Sequence, residues 1–400
     1  MIRGRTAVLA LVGVAAMATV VVAGSTASPQ QANTVTIGWA YDGKGPMAAY
    51  DGPALVTARE RIKQVNKGLG PNLQLKTCNT QGNVPATAKA CAAKLLGQGA
   101  DVIFTTCDVD LAAPVIQESI NAGKLTIATC IGSDQMGPKR FGAKGRLAFS
   151  FGNVAQDEGS AMAEFAWKKG WRDASLATDT VIVYFRNVVQ AFEARWKQLG
   201  GKIVTKETYQ SLGGNPASWQ NVVTHLNRTE ADVIVTSTAP PFGAQVSIMN
   251  GLRTLGNNTP ILNSWAGDGS YWYTPSPKIS NYYYVTFASA FGDDPDPAVR
   301  ALAKRNAAAI AKAGSTGAYV TGPAAIDGLV LALKRTGGST NGKRLAAEME
   351  KFKNVPTLSG KVSFSKKWHT VFGRQYRVIQ VQDNVPKVVG TIKAKVVSKI

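Results

Sequence analysis

Histidine is nearly missing from this chain: among 400 residues there are only His225 and His369, far apart. That excludes a histidine-rich metal centre and leaves a Ser-His-Asp triad almost without candidates. Neither sits at an expected strand end; His225 falls in a helix and His369 in a basic turn of the tail. The nucleophile elbow G-x-S-x-G is absent, and so is the phosphate loop G-x-x-x-x-G-K-[ST]. The stretch Asp42-Gly43-Lys44-Gly45-Pro46-Met47 begins like G-x-G-x-x-G but lacks its third glycine. No carboxylate pair stands out as a glycosidase couple, and no C-x-x-C marks a zinc or redox site. Nothing in the residues argues for an enzyme, and no cofactor or metal is expected.

Acidic residues are scarce as well, 25 Asp+Glu against 45 Lys+Arg, which leaves a formal charge of +20. Such an excess invites a nucleic-acid reading. The basic residues are instead spread over helix faces: Arg59, Arg61, Lys63 and Lys67; Lys168 and Lys169; Lys304 and Arg305; Lys393, Lys395 and Lys399. No run of five and no aromatic-interleaved stripe occurs, so no nucleic-acid partner is expected. A solvated basic surface suits an anionic membrane or cell wall.

At the N-terminus, Arg3 and Arg5 precede an uncharged run from Ala7 to Ala23, and Ser25-Thr26-Ala27 follows. This pattern is an export signal, residues 1–27, with cleavage near Ala27; an uncleaved anchor is the alternative. Residues 1–77 hold no cysteine, so lipid attachment is not expected. The protein is placed outside the cytoplasm, in the periplasm or beyond, and associated with the envelope. There, Cys78, Cys91, Cys107 and Cys130 read as two disulfides, with free thiols as the alternative. Of three possible pairings, Cys78–Cys91 with Cys107–Cys130 is preferred.

From Thr34 onward, apolar strands alternate with amphipathic helices. Strands are expected at 35–40, 73–77, 101–105, 125–129, 174–178, 202–208, 231–237, 260–263 and 282–289. Helices of 9 to 17 residues are expected between and after them, among them one over 297–313. Short strands are expected in the tail, at 360–364, 375–382 and 386–391. This is an α/β chain of βαβ units with parallel sheets. Two such series follow one another without a linker, and no repeat is present. In open parallel sheets, ligands bind at the C-terminal strand ends. Here those loops carry aromatic and small polar residues: Tyr41 and Tyr50, Cys107-Asp108, Ile131-Gly132-Ser133, Tyr184-Phe185, Ala239-Pro240-Pro241, Trp265-Ala266-Gly267-Asp268 and Tyr319. Loops of both series facing across a cleft would supply aromatic walls and a few polar anchors for a small molecule.

The order of elements and several phrases resemble the type I periplasmic binding proteins, specifically the branched-chain amino acid (Leu/Ile/Val) solute-binding proteins of ABC importers. The phrases are VTIGWAYDGKGPMAAYDGPALVTARERI, KTCNTQGNVPATAKACAAKLLGQGADVIFTTC, DVIVTSTAPPFGAQVSIMNGLRTLG, GAYVTGPAAIDGLVLALKRTGG and LSGKVSFSKK. The resemblance implies two Rossmann-like lobes joined by three hinge crossovers near Gly152, Thr286 and Phe364. Lobe one is expected over 34–152 plus 287–362, lobe two over 153–286 plus 363–400. It further implies a small-molecule ligand, an ABC permease as partner, and a monomer. A ligand sensor for a membrane receptor, without transport, is the alternative.

Residue by residue, the family's ligand tyrosines fall on Tyr50 and Tyr184, and its late aromatic on Tyr319. Cys78 and Cys107 match a disulfide of some members, which gives the competing pairing Cys78–Cys107. Two departures stand out. The family's carboxylate anchors fall on Asp108 and on Ile131-Gly132-Ser133, where an ionised Asp108 repels a carboxylate. The acid that pairs the ligand ammonium falls on Trp265, with Asp268 as its candidate replacement. The expected ligand is therefore a small molecule, amino-acid-like or aromatic/apolar, and less zwitterionic than leucine. Tyr50, Tyr184, Trp265 and Tyr319 would wall it, and Asp108, Ser133 and Asp268 would orient it.

Overall fold

The computed structural model describes Met1, residues 34–68 and residues 70–400. The expected export signal otherwise lies outside the described residues. No helix among them is long and apolar enough to cross a membrane.

Among the described residues, thirteen of fifteen strands and the helices between them build two α/β layers, and the other two strands pair with each other. Strands β1 (Thr34–Tyr41), β2 (Asn72–Asn79), β3 (Val102–Thr105), β4 (Leu125–Ala128) and β5 (Ala148–Asn153) open the chain. The next five are β6 (Asp173–Asp179), β7 (Lys202–Tyr209), β8 (Val233–Ser237), β9 (Ile261–Asn263) and β10 (Tyr282–Thr286). After them come β11 (Val355–Thr357), β12 (Gly360–Val362), β13 (Thr370–Val371), β14 (Tyr376–Gln382) and β15 (Val385–Ile392). One sheet has the order β13-β5-β4-β3-β1-β2, and the other β15-β14-β10-β9-β8-β6-β7. The first is wholly parallel; the second is parallel except where β14 pairs antiparallel with β10 and β15. β3 and β4 are buried at every position, as strands covered by helices on both faces must be.

The chain passes between the sheets three times: after β5, after β10, and between β13 and β14. The expected third crossover near Phe364 is corrected by β13, which lies beyond it and still pairs with β5. Three strands escape the sequence pattern: β5, β11 and β13. β5 (AFSFGN) interrupts its apolar run with Ser150, Gly152 and Asn153, and β13 has only two residues. The strand expected over 282–289 stops at Thr286, because the backbone turns into the second crossover there. The helix expected over 297–313 breaks at Asn306 into Pro297–Arg305 and Ala307–Lys312.

Helix starts follow local chemistry. Asp108, Asn215, Asp296 and Asn341 each accept a backbone N–H of the following first turn, a cap that contributes about 1 kcal/mol. Proline opens Pro85–Gly97, Pro216–Asn227 and Pro297–Arg305, where its missing N–H costs no hydrogen bond. Cys78 is bonded to Cys91 and Cys107 to Cys130, with Cα separations of 5.5 and 4.8 Å. The competing Cys78–Cys107 pairing is not formed. One bond ties β2 to the helix behind it, and the other ties the loop after β3 to the loop after β4.

Candidate functional site

Five strand ends converge between the two sheets. From the first sheet come Met47 and Tyr50 after β1, and Cys107 and Asp108 after β3. From the second come Ile182, Tyr184 and Phe185 after β6, Ala239 after β8, and Trp265 and Ala266 after β9. These residues enclose a cavity of about 20 Å³, room for about one water molecule. The two lobes are thus closed on each other. The Tyr50 hydroxyl donates to the Ala266 carbonyl across the cleft. The Val183 N–H donates to Asp110 Oδ2 at 2.9 Å, and the Gly317 N–H to Asp268 Oδ2 at 2.6 Å.

The walls are aromatic. Tyr50 and Trp265 lie 5.0 Å apart between ring centroids, and Tyr184 and Phe185 5.9 Å. Phe287, in the second crossover, stacks behind Trp265 at 4.7 Å. The Tyr184 ring rests against Gly132, where a Cβ would meet it at 2.5 Å; glycine is required there by close approach. Behind the rings sits Glu158, fully buried. Its Oε1 accepts the Trp265 N–H at 2.6 Å and its Oε2 the Tyr184 hydroxyl at 2.9 Å. Burial pushes Glu158 up to about 8, against the pull of those two donors. The Trp265 indole N–H has no partner among the described residues.

Asp108 is the carboxyl group of the wall. It is only 3% exposed. Oδ1 takes the helix cap, accepting from the Asp110 and Leu111 N–H groups at 2.9 and 3.0 Å. Oδ2 accepts no hydrogen bond among the described residues. Burial raises Asp108 to about 7, Asp110 adds to the rise, and the two cap bonds and Arg140 oppose it. Arg140 itself pairs with Asp110 at 2.5 Å. No Lys, Arg or His among the described residues lines the cavity.

The other expected site residues lie elsewhere. Ile131 belongs to the core of the first lobe, and its carbonyl accepts from the Ser150 hydroxyl. The Ser133 hydroxyl accepts from the Gln135 N–H, and its carbonyl from Thr370, so Ser133 serves the turn after β4. Asp268 is buried outside the wall, taking the Thr286 hydroxyl and the Gly269 and Gly317 N–H groups. Through Gly317 it is a clasp between the lobes. Tyr319 is buried and donates to the Ser289 carbonyl at 2.7 Å. Of the nine expected residues, Tyr50, Asp108, Tyr184 and Trp265 come together at the cavity, and Gly132 backs Tyr184.

Cys107, Phe185, Ala239 and Ala266 belong to the strand-end loops expected to face the cleft, whereas Met47 and Ile182 were not anticipated as wall residues and Glu158 was not anticipated at all. Glu158 lies in a helix first turn beside Asp157, a position that reads as ordinary N-terminal charge. The glycine loop after β1 proves to be a turn around an acid: Asp42 accepts the N–H groups of Lys44, Gly45, Met47 and Gly82. The aspartate fills the amide nest that a phosphate would need. Asp51 lies next to the cysteines Cys107 and Cys130, but their disulfide leaves no thiolate for a metal.

Two hinged parallel-sheet lobes, with the strand-end loops of both meeting at one cleft, define the fold of a two-lobed solute binder. The chain belongs to the periplasmic binding protein family, whose model matches residues 34–386. A curated relative, the Leu/Ile/Val-binding protein BraC3 of Rhizobium johnstonii, is 22% identical over 344 residues, covering 83% of this chain and 88% of the relative. Among solved structures, the branched-chain amino acid transporter substrate-binding protein LivJ of Streptococcus pneumoniae, in complex with isoleucine, matches with a TM-score of 0.74 and 18% identity. That match covers 90% of this chain and 99% of LivJ. A solute-binding protein of an R. palustris ABC transporter, in complex with 4-hydroxybenzoate, matches with a TM-score of 0.75 and 15% identity, covering 91% and 98%. At these identities the structural likeness establishes the type I two-lobed fold.

Proposed function

We propose that this chain is the exported solute-binding component of an ABC importer. It captures a small aromatic or apolar molecule between its lobes and presents the closed form to a permease in the cytoplasmic membrane. The carrying observation is the placement of ten wall residues from both sheets at the C-terminal ends of five strands. A ligand touching both walls gains contacts only when the lobes are together, so it shifts the population toward the closed form. The mechanism needs neither nucleophile nor base, and both histidines lie away from the cleft. His225 pairs with Glu207 on a helix surface, and His369 stacks on Phe149. The chain acts as a monomeric binder and not as an enzyme.

The wall also bears on the ligand. Isoleucine and 4-hydroxybenzoate each bring a carboxylate to the proteins that hold them. Here a ligand carboxylate would meet Asp108; above about pH 7, where Asp108 is ionised, two like charges about 4 Å apart at an effective dielectric of about 20 repel by about 4 kcal/mol. A branched-chain amino acid is therefore disfavoured. Two disulfides fit an oxidising compartment, and the basic surface fits retention at an anionic envelope.

The test is a melting-shift and calorimetric screen of the purified protein against amino acids, aromatic acids, amides and sterol-like compounds. A true ligand raises the melting temperature by mass action. Stabilisation by an aromatic or apolar compound without a zwitterion supports the reading. Tight leucine or valine binding contradicts the ligand class, and turnover of a bound compound contradicts a pure binder.

A further inference from the structure

The cleft has a charge character opposite to that of the molecule as a whole. The chain carries a formal +20, yet among the described residues no basic side chain lines the cavity, and the one ionisable acid on its wall is Asp108. Asp108 spends one oxygen on the helix cap and leaves the other unpartnered among the described residues, although the residue is 3% exposed. That free oxygen keeps some accessible surface, so a group entering the cleft can meet it. Arg140 does not meet it, being held by Asp110 and Gln135. A second acid, Glu158, stands behind Tyr184 and Trp265 and accepts a hydrogen bond from each.

Rings with acids beside and behind them make a surface for positive charge. The face of an indole or phenol attracts a cation within about 6 Å, and more strongly where water is excluded. Tyr50 and Trp265 stand 5.0 Å apart and tilted, and Tyr184 closes the other side from the end of β6. An anion would find no counter-charge here, and a zwitterion would satisfy one end only.

We infer that the cleft takes a small organic cation of the alkylammonium or quaternary ammonium class, its positive head seated among Tyr50, Tyr184 and Trp265 with Asp108 as counter-charge. This rests on the reading of the cleft as the ligand site. It adds the sign of the ligand's charge, which that reading leaves open.

The test uses four probes in calorimetric titrations of the purified protein at pH 8: choline, benzyltrimethylammonium, the uncharged choline isostere 3,3-dimethylbutan-1-ol, and benzoate. Both cations are expected to bind at least about tenfold more tightly than the uncharged alcohol, with no binding of benzoate. Asp108→Asn keeps a good helix cap while removing the charge. It is expected to weaken both cations at least about tenfold and to leave the alcohol within about twofold; Asp108→Ser, also a capping residue, repeats the test in a second background. Equal affinity for choline and its isostere, indifference of the cations to both Asp108 variants, or failure of either cation to bind overturns the inference. Tight benzoate binding that Trp265→Ala abolishes overturns the cation while keeping the cleft as the ligand site. Tight benzoate binding that Trp265→Ala and Tyr184→Phe leave untouched overturns both.

Discussion

The outside of this molecule and the inside of its cleft are built on opposite terms. Outside, lysines and arginines outnumber acids and stand on helix faces in water, many in exposed pairs such as Lys197–Glu193 and Arg305–Glu60; such pairs contribute little to stability. Around the cleft and its clasps, Asp51, Asp108, Glu158 and Asp268 are all buried. Burial raises each of them, to about 7, 7, 8 and 6. Net charge therefore describes the outer surface, and four buried carboxyl groups describe the surroundings of the cleft. A composition average reports the first and hides the second.

The sharpest way to break that contrast is to remove the ring at its centre. Trp265→Ala deletes the indole that stacks on Phe287 and faces Tyr50. The expected cost is about 3–5 kcal/mol of stability, with ligand-induced stabilisation lost altogether in a melting assay. Trp265→Phe is expected to recover most of the stability and part of the binding. A Trp265→Ala protein that still responds fully to ligand would move the site elsewhere.

Glu158 gives the next largest effect. Its folded value of about 8 lies above the ordinary 4.5, so the folded state holds its proton more tightly than the unfolded chain. Its contribution is complete below about pH 4.5 and is lost as pH rises toward 8. Asp108 and Asp51 act in the same direction between 3.8 and about 7. The melting temperature is therefore expected to fall from pH 5 to pH 8. Glu158→Gln, which keeps a neutral acceptor and adds a donor, is expected to flatten the decline. A melting temperature that climbs over this range would contradict the burial of these acids.

Asp110 is the smallest lever. One oxygen accepts the Val183 N–H from the opposite lobe and the other pairs with Arg140. Asp110→Ala is expected to open the lobes more often and to weaken ligand binding several-fold, by about 1 kcal/mol for one hydrogen bond to a charged group. Faster ligand dissociation in a stopped-flow assay would show it; an unchanged rate would make the contact incidental to closure.

Most of the fold was legible in the sequence because buried parallel strands are written as apolar runs, as in VIFT of β3 and LTIA of β4. β5 was not, since Ser150 and Asn153 are buried there by partners distant in sequence: the Ser150 hydroxyl bonds the Ile131 carbonyl, and the Asn153 amide bonds the Tyr376 hydroxyl. The site divides the same way. Rings that follow strand ends, such as Tyr50, Tyr184 and Trp265, announce themselves. Asp108 was visible as an acid in the wrong place for a carboxylate ligand. Ser133 and Asp268 had suitable chemistry at suitable strand ends, but their side chains are spent on a turn and on an interlobe clasp. Glu158 became a site residue only when the first crossover placed its helix behind the rings of Tyr184 and Trp265 in the second lobe.

The central claim is that a small molecule closes two lobes over this cleft. The most direct measurement is the distance distribution between spin labels at exposed Lys94 of the first lobe and exposed Arg228 of the second, with and without a compound taken from the melting screen. The account predicts a broad or two-peaked distribution in the absence of the compound, collapsing to one shorter peak at saturation, with the collapse lost in Trp265→Ala. Identical distributions with and without saturating compound would contradict it.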